Sequence, residues 1–255
     1  MNPLSLLTDS YDRPARLYPA LLLLAPVVCV FFLLTSQDLT VLRTITAITV
    51  SCGGAFLLSQ LARDSGKKLE KKLFAQWGGL PSVAIFRHRD TRLNSITKSR
   101  YHSKLSKLVQ GAKAPSPDQE TADPNSADTI YGAWSDYIRI NTRDVKKFPL
   151  LFRENINYGY RRNVFGLRWY GLLVCSICVL ASAIQGYVQY RASQKIPLEV
   201  TTSMAILLLF VVLWFFRFTS SWVRIPADAY AERLAEATES LGGGEAPRTR
   251  TASKT

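Results

Sequence analysis

Residues that carry chemistry are scarce in this chain: among 255 residues there are two histidines, two methionines and four cysteines. The scarcity excludes most cofactor and redox classes. Cys29, Cys52, Cys175 and Cys178 all fall inside apolar runs, with no flanking ligands for zinc and no pattern of a disulfide framework. Cys175-x-x-Cys178 has redox spacing, but in an apolar helix it reads as two small buried thiols. His88, Asp90 and His102 form the one conceivable metal set, and H-x-D with a histidine twelve residues further on fits no zinc or nuclease spacing; no acidic cluster could hold magnesium. Nucleophile-elbow, Walker-type and dinucleotide-binding glycine patterns are also missing. No metal, no cofactor and no enzymatic activity are therefore expected.

Charge is the next absence, and it is local. Residues 17–36, 44–62 and 169–190 contain no Asp, Glu, Lys or Arg, and residues 196–216 contain only Glu199, close to one end. Each run approaches or exceeds the ~20 residues a helix needs to cross a hydrocarbon core. The first is too long, and too far from the N-terminus, for a cleaved leader. Pro19 falls in its first turn and Pro26 in its middle, which predicts a kink. Trp169, Tyr170, Tyr187, Tyr190, Trp214 and Trp222 gather near run ends, as an interfacial belt does. The expected fold is mostly α: a polytopic membrane protein of four transmembrane helices in two hairpins, 17–62 and 169–216, with an α-rich cytosolic insertion.

What is present in excess is positive charge, +13 net, and its placement orients the chain. Of 32 Lys and Arg, 21 lie in residues 63–168, against ten acidic residues there, whereas the two short linkers hold Arg43, Arg191 and Lys195 alone. The positive-inside bias puts residues 63–168, the tail 217–255 and both termini in the cytoplasm, so the expected location is a bacterial inner membrane.

Within 63–168, Leu69, Leu73 and Trp77 recur at helical spacing opposite Lys67, Lys68, Lys71 and Lys72, an amphipathic helix leaving the membrane. These lysines, with Arg161, Arg162 and Arg168 further on, are candidate contacts for anionic lipid headgroups. Residues 82–86 read as a short strand or extended connector, and 95–110 as a helix capped by Asn94 with Ile96, Leu105, Leu108 and Val109 as its apolar members. Between and within these lie Arg87, His88, Arg89, Arg92, Lys98, Arg100 and His102, a mixed set of donors suited to phosphate oxygens and the candidate ligand site. Surface positioning or lipid contact is the competing reading of the same residues. Residues 111–127 read as a flexible loop; Asp123-Pro124 opens a helix whose apolar face is Ile130, Tyr131, Trp134, Tyr137 and Ile138. A later helix over Phe148 to Tyr160 is expected to run on into the third span, and a tail helix over 227–241 to be solvated or intersubunit, with a disordered end beyond. In the second span, Thr46, Thr49, Gly53 and Gly54 offer a small, hydroxylated face for helix packing or a pore lining.

The stretches QWGGLPSVAIFRHRDTRLNSITKSRYHSKL and KKFPLLFRENINYGYRRN resemble a family of uncharacterised bacterial four-helix membrane proteins. That resemblance implies the four-span fold and no activity. More loosely, the layout is similar to four-helix membrane effectors of anti-phage defence systems, which implies a homo-oligomer that opens a pore on a nucleotide or oligonucleotide signal, or on a protein partner. The expected function is such an effector, gated by an anionic cytosolic ligand. The alternative is a non-enzymatic membrane scaffold that recruits a cytosolic partner while its basic residues grip lipid.

Overall fold

The structure, a computed structural model, describes residues 10–34 and 53–242. It is mostly helical, with no strand among the described residues. A π-helical turn, Arg13–Leu17, leads into α1 (Tyr18–Leu34). Then come α2 (Gly54–Trp77), α3 (Pro81–Ala84), α4 (Ser95–Leu108), α5 (Pro117–Ala122), α6 (Pro124–Asn141), α7 (Pro149–Gly166), α8 (Arg168–Ser193), α9 (Leu198–Val212) and α10 (Ser220–Glu236). Two compact units result: residues 1–75 with 155–226, and residues 76–154 with 227–255.

Among the described residues, three helices of the first unit are long and apolar enough to cross a membrane: Arg13–Phe31, Arg168–Ser193 and Leu198–Arg217. The first therefore starts four residues before the expected span, because Pro14 sits in its opening turn, where a missing N–H costs nothing. Pro26 does lie inside α1. Of the expected second span, residues 44–52 lie outside the described residues, and Thr46 and Thr49 with them. Gly53 has a left-handed φ of +67° and α2 begins only at Gly54, so the described helix starts inside the expected span. Among the described residues, nothing lies within 4 Å of a Cβ built on Gly53.

α1, α8 and α9 pack on one another. Leu207 is fully buried against Val30 and Cys178. Two glycines of α8 allow the approach: a Cβ on Gly171 would stand 2.3 Å from the Trp214 ring, and one on Gly186 would stand 2.9 Å from Val200. This is the small-against-large contact by which helices associate when no water is present to drive them together. The opposite face of α8 is an exposed apolar stripe, Leu173, Ile177, Leu180 and Ile184, each more than half accessible. Such a stripe is stable against lipid tails and costly against water.

Nearer the polar end of this unit, α2 and α7 meet through Gly66 and Gly166, whose backbones touch. Arg162 is 5% exposed and donates to Glu70 and to the Asn163 side chain, while Asn163 Nδ2 donates to Ala15 O at 2.7 Å. Burial beside Glu70 pushes the Tyr158 hydroxyl well above its ordinary range. Arg162 is thus corrected from a lipid contact to an internal pair: it lies on the side of α7 that turns toward α2, where a bare guanidinium would be too costly to leave unpaired. Arg161 donates to Trp222 O and lies over the Trp222 ring, and Arg168 donates to Phe215 O. Lys67, Lys68, Lys71 and Lys72 are exposed along α2, as expected. α7 and α8 break at Leu167 instead of running on as one helix.

The second unit is built on a core of Ile85, Phe86, Tyr101, Leu105, Tyr131, Trp134 and Ile138. Three expectations are corrected here. Residues 82–86 hold a helical turn, α3, since Pro81 at its start is pre-set for helix. Residues 111–127 include α5, closed by a capping box in which Ser116 and Gln119 satisfy each other's backbone, and they bury Ala112, Glu120 and Ala127. The tail helix enters the core of its own unit by one face: Ala231, Leu234, Ala235 and Leu241 are all buried, while Arg233 and Glu236 stay exposed. Asn94 caps α4 by accepting from Thr97 N at 2.8 Å, and Asp123 caps α6 through Ser126 N at 3.0 Å, both as the sequence predicts.

Candidate functional site

The seven residues of the basic cluster belong to one region of the second unit, but most are already engaged. Arg87 is 8% exposed. Its Nε and Nη2 meet the two oxygens of Asp128 at 2.7 and 2.6 Å, and its Nη1 donates to Gly78 O at 2.7 Å. Arg92 grips Asp90 and also donates to Asp228 Oδ1 at 2.7 Å. Burial opposes the Asp90 charge, yet the hydrogen bonds from Arg92 outweigh it and hold that carboxyl below its ordinary range. Arg100 pairs with Glu239, with both side chains about half exposed. Arg89 alone is exposed with no ion pair among the described residues.

Lys98 and the histidines serve the backbone. The Lys98 ammonium is 5% exposed and donates to the carbonyls of Arg87, His88 and Asp90, pinning the loop before α4 onto that helix. Burial draws its pKa down. Beside it, Glu120 accepts from His88 N and from the Tyr131 hydroxyl, each at 2.8 Å. His102 Nε2 lies 2.7 Å from Phe86 O, and His88 Nε2 lies 2.9 Å from Pro115 O. A carbonyl only accepts, so Nε2 carries a proton in each ring, and in a neutral His102 ring Nδ1 carries the lone pair. Burial lowers the His102 pKa to about 4, which keeps this ring neutral. The two rings meet edge to face at 5.0 Å, and Tyr131 and Trp134 pack around His102.

Two cavities flank α4. One, of about 650 Å³, is lined by His88, Asp90, Lys98 and His102 together with Ser95, Ser99 and Ser103. The other, of about 690 Å³, shares those three serines and adds Ile96, Arg100, Lys104 and Lys107. The four-residue spacing puts the serines on one side of the helix, between the cavities. Ile96, an apolar member of this helix in the sequence, is 78% exposed on the rim of the second cavity. Sequence reasoning missed the serines because hydroxyls in a helix look like filler until a cavity is seen beside them. Their spacing was the available signal.

What the arrangement can do is bind, with hydroxyl and ammonium donors and one neutral imidazole acceptor at hand. No group of three or more potential metal ligands occurs among the described residues. No family model matches the chain, and no curated protein or solved structure matches it either, so the functional reading rests on these residues themselves.

Proposed function

We infer that the chain is a multi-pass inner-membrane protein of four spans in two hairpins, whose cytosolic helical unit receives an anionic ligand and whose membrane-embedded unit responds as an effector or pore. The observation that carries this reading is the second cavity beside α4, where Ser95, Ser99 and Ser103 and the basic side chains of Arg100, Lys104 and Lys107 line an open space with no carboxylate among its lining residues. A cavity of several hundred Å³ is the size that holds small ligands. Packing within α1, α8 and α9 fills that bundle with Trp214, Leu207 and Cys178, so a conducting path would form between copies in a homo-oligomer. Nucleotides, oligonucleotides and anionic protein segments all offer the required charge.

The test is induction of the full chain in a bacterial host carrying a potential-sensitive dye, with and without candidate anionic signals. Depolarisation that tracks expression supports the effector reading. Unchanged potential and growth at high expression, whatever signal is supplied, exclude it.

One observation favours a membrane scaffold instead. Arg87 and Arg92, the natural bidentate phosphate binders of the cluster, are committed to Asp128, Asp90 and Asp228. In that reading Lys68, Lys71 and Lys72 hold lipid headgroups and the helical unit presents a surface to a cytosolic protein. Crosslinking in the host that recovers one stoichiometric partner, with membrane potential unaffected, is its expected result.

A further inference from the structure

We propose that the serine-bearing side of α4 is the seat of a phosphate ester on a small molecule that also carries an N–H donor, and that Glu239 occupies the charge of this seat until the ligand displaces it. The proposal rests on the anionic-ligand reading above and gives it an address that the original basic cluster lacked.

Ser95, Ser99 and Ser103 line both cavities, and their hydroxyls have no partner among the described residues. Arg100, Lys104 and Lys107 lie along the same cavity wall and no acidic residue lines that cavity. The countercharge comes instead from the tail, where Glu239 gives its carboxylate to Arg100 and its carbonyl to Lys104, the latter at 2.8 Å. Lys107 is exposed and has no such partner.

Displacement is a modest step. The Arg100–Glu239 pair is about half exposed on both sides, and such pairs contribute little against solvent and salt. A phosphate ester brings nearly two charges and three acceptor oxygens where the carboxylate brings one charge and two. It would therefore take Arg100 from Glu239 and gain the free hydroxyls and Lys107 as well. Only the Glu239 side chain needs to swing, because Ala237, Thr238 and Leu241 around it are buried and stay in place.

The second recognition element is His102. It is 5% exposed, its Nε2 is spent on Phe86 O, and its Nδ1 has no partner among the described residues although the ring lines the first cavity. A neutral imidazole presenting a lone pair accepts an N–H. It does not attract a second anion, so the two ends of the site ask for different groups on one molecule.

The test uses the full chain purified in detergent and calorimetric titration with three probes: adenosine monophosphate, inorganic phosphate and adenosine. The monophosphate is expected to bind at least tenfold more tightly than either part alone. Lys107→Gln and Arg100→Gln, both at exposed positions, are expected to weaken the monophosphate and phosphate about tenfold and leave adenosine unchanged, whereas Glu239→Gln tightens the monophosphate up to about fivefold. Circular dichroism of each variant verifies the fold. If phosphate or the monophosphate binds but none of the three charge variants alters it, this seat is wrong while the anionic-ligand reading stands. If the monophosphate binds no more tightly than phosphate, the role of His102 is wrong. If neither binds at millimolar concentration, the proposal is overturned. The anionic-ligand reading falls with it only if membrane potential in the host is also indifferent to every anionic signal.

Discussion

Arg87 and Asp128, 41 residues apart, meet in a two-point pair at the edge of an aromatic core, with Nε and Nη2 each facing a separate carboxylate oxygen. The pair ties the loop before α4 to the first turns of α6. Its expected behaviour is that of a structural fork: Arg87→Lys keeps the charge but loses the parallel donors. Because the Asp128 side chain is about a third exposed, the expected loss on Arg87→Lys is about 1–3 kcal/mol, below the range for a fully buried pair. Denaturant unfolding of the detergent-solubilised protein measures it. An unchanged midpoint would return Arg87 to the candidate ligand contacts.

His102 makes stability depend on pH. Its folded pKa, about 4, lies below the unfolded value of 6.5, because burial disfavours the imidazolium. Between those values the unfolded chain binds more protons, so stability is full above about pH 6.5 and declines as pH falls toward 4. Complete development of the shift corresponds to about 3 kcal/mol at most. Unfolding at pH 7 and at pH 4.5 is expected to differ less in His102→Asn than in the parent chain, since Asn can still donate to Phe86 O and has nothing to titrate.

In the apolar unit, Gly171→Ala is the sharpest probe of packing. A methyl placed 2.3 Å from the Trp214 ring forces the helices apart, and overpacking of this kind costs about 1–3 kcal/mol. Tryptophan fluorescence and thermal aggregation in detergent should register a shifted Trp214 environment and a lowered transition. Ala183→Gly, at an exposed position of α8 twelve residues from that contact, is a suitable control for helix propensity alone.

The tail can be tested by a single core residue. Leu234 is 1% exposed within the second unit, so Leu234→Ala is expected to cost about 2–4 kcal/mol, the range for such deletions. Hydrogen exchange should show lost protection at α4 and α6, against which the tail packs, while α8 and α9 remain protected. A solvated tail would produce no change in either place.

Helix positions and caps were largely legible from sequence, because capping depends on neighbours a few residues apart. Asn94 and Asp123 announce the starts of α4 and α6, and the spacing of Tyr131, Trp134 and Ile138 marks a buried face. Ligand chemistry was less legible because charge partners are distant in sequence. Arg92 and Asp228 are separated by 136 residues, and Arg100 and Glu239 by 139, so the basic cluster read as a donor surplus when much of it is internal balance. The tail was misread for the same reason: alternating Glu232, Arg233 and Glu236 look solvated, while Ala231, Leu234 and Ala235 beside them share the face that enters the core. Arg162 shows the limit in the other unit, since a basic collar and a buried pair have the same composition.

Lys98 has one further consequence. Three backbone oxygens of a single loop converge on its ammonium, the kind of oxygen cage that many proteins fill with a bound cation. Here the cation is covalently attached to the helix the loop must sit on. The loop therefore holds its shape whatever the concentration of calcium or magnesium, and neutralising this one nitrogen by acylation would empty the cage from within.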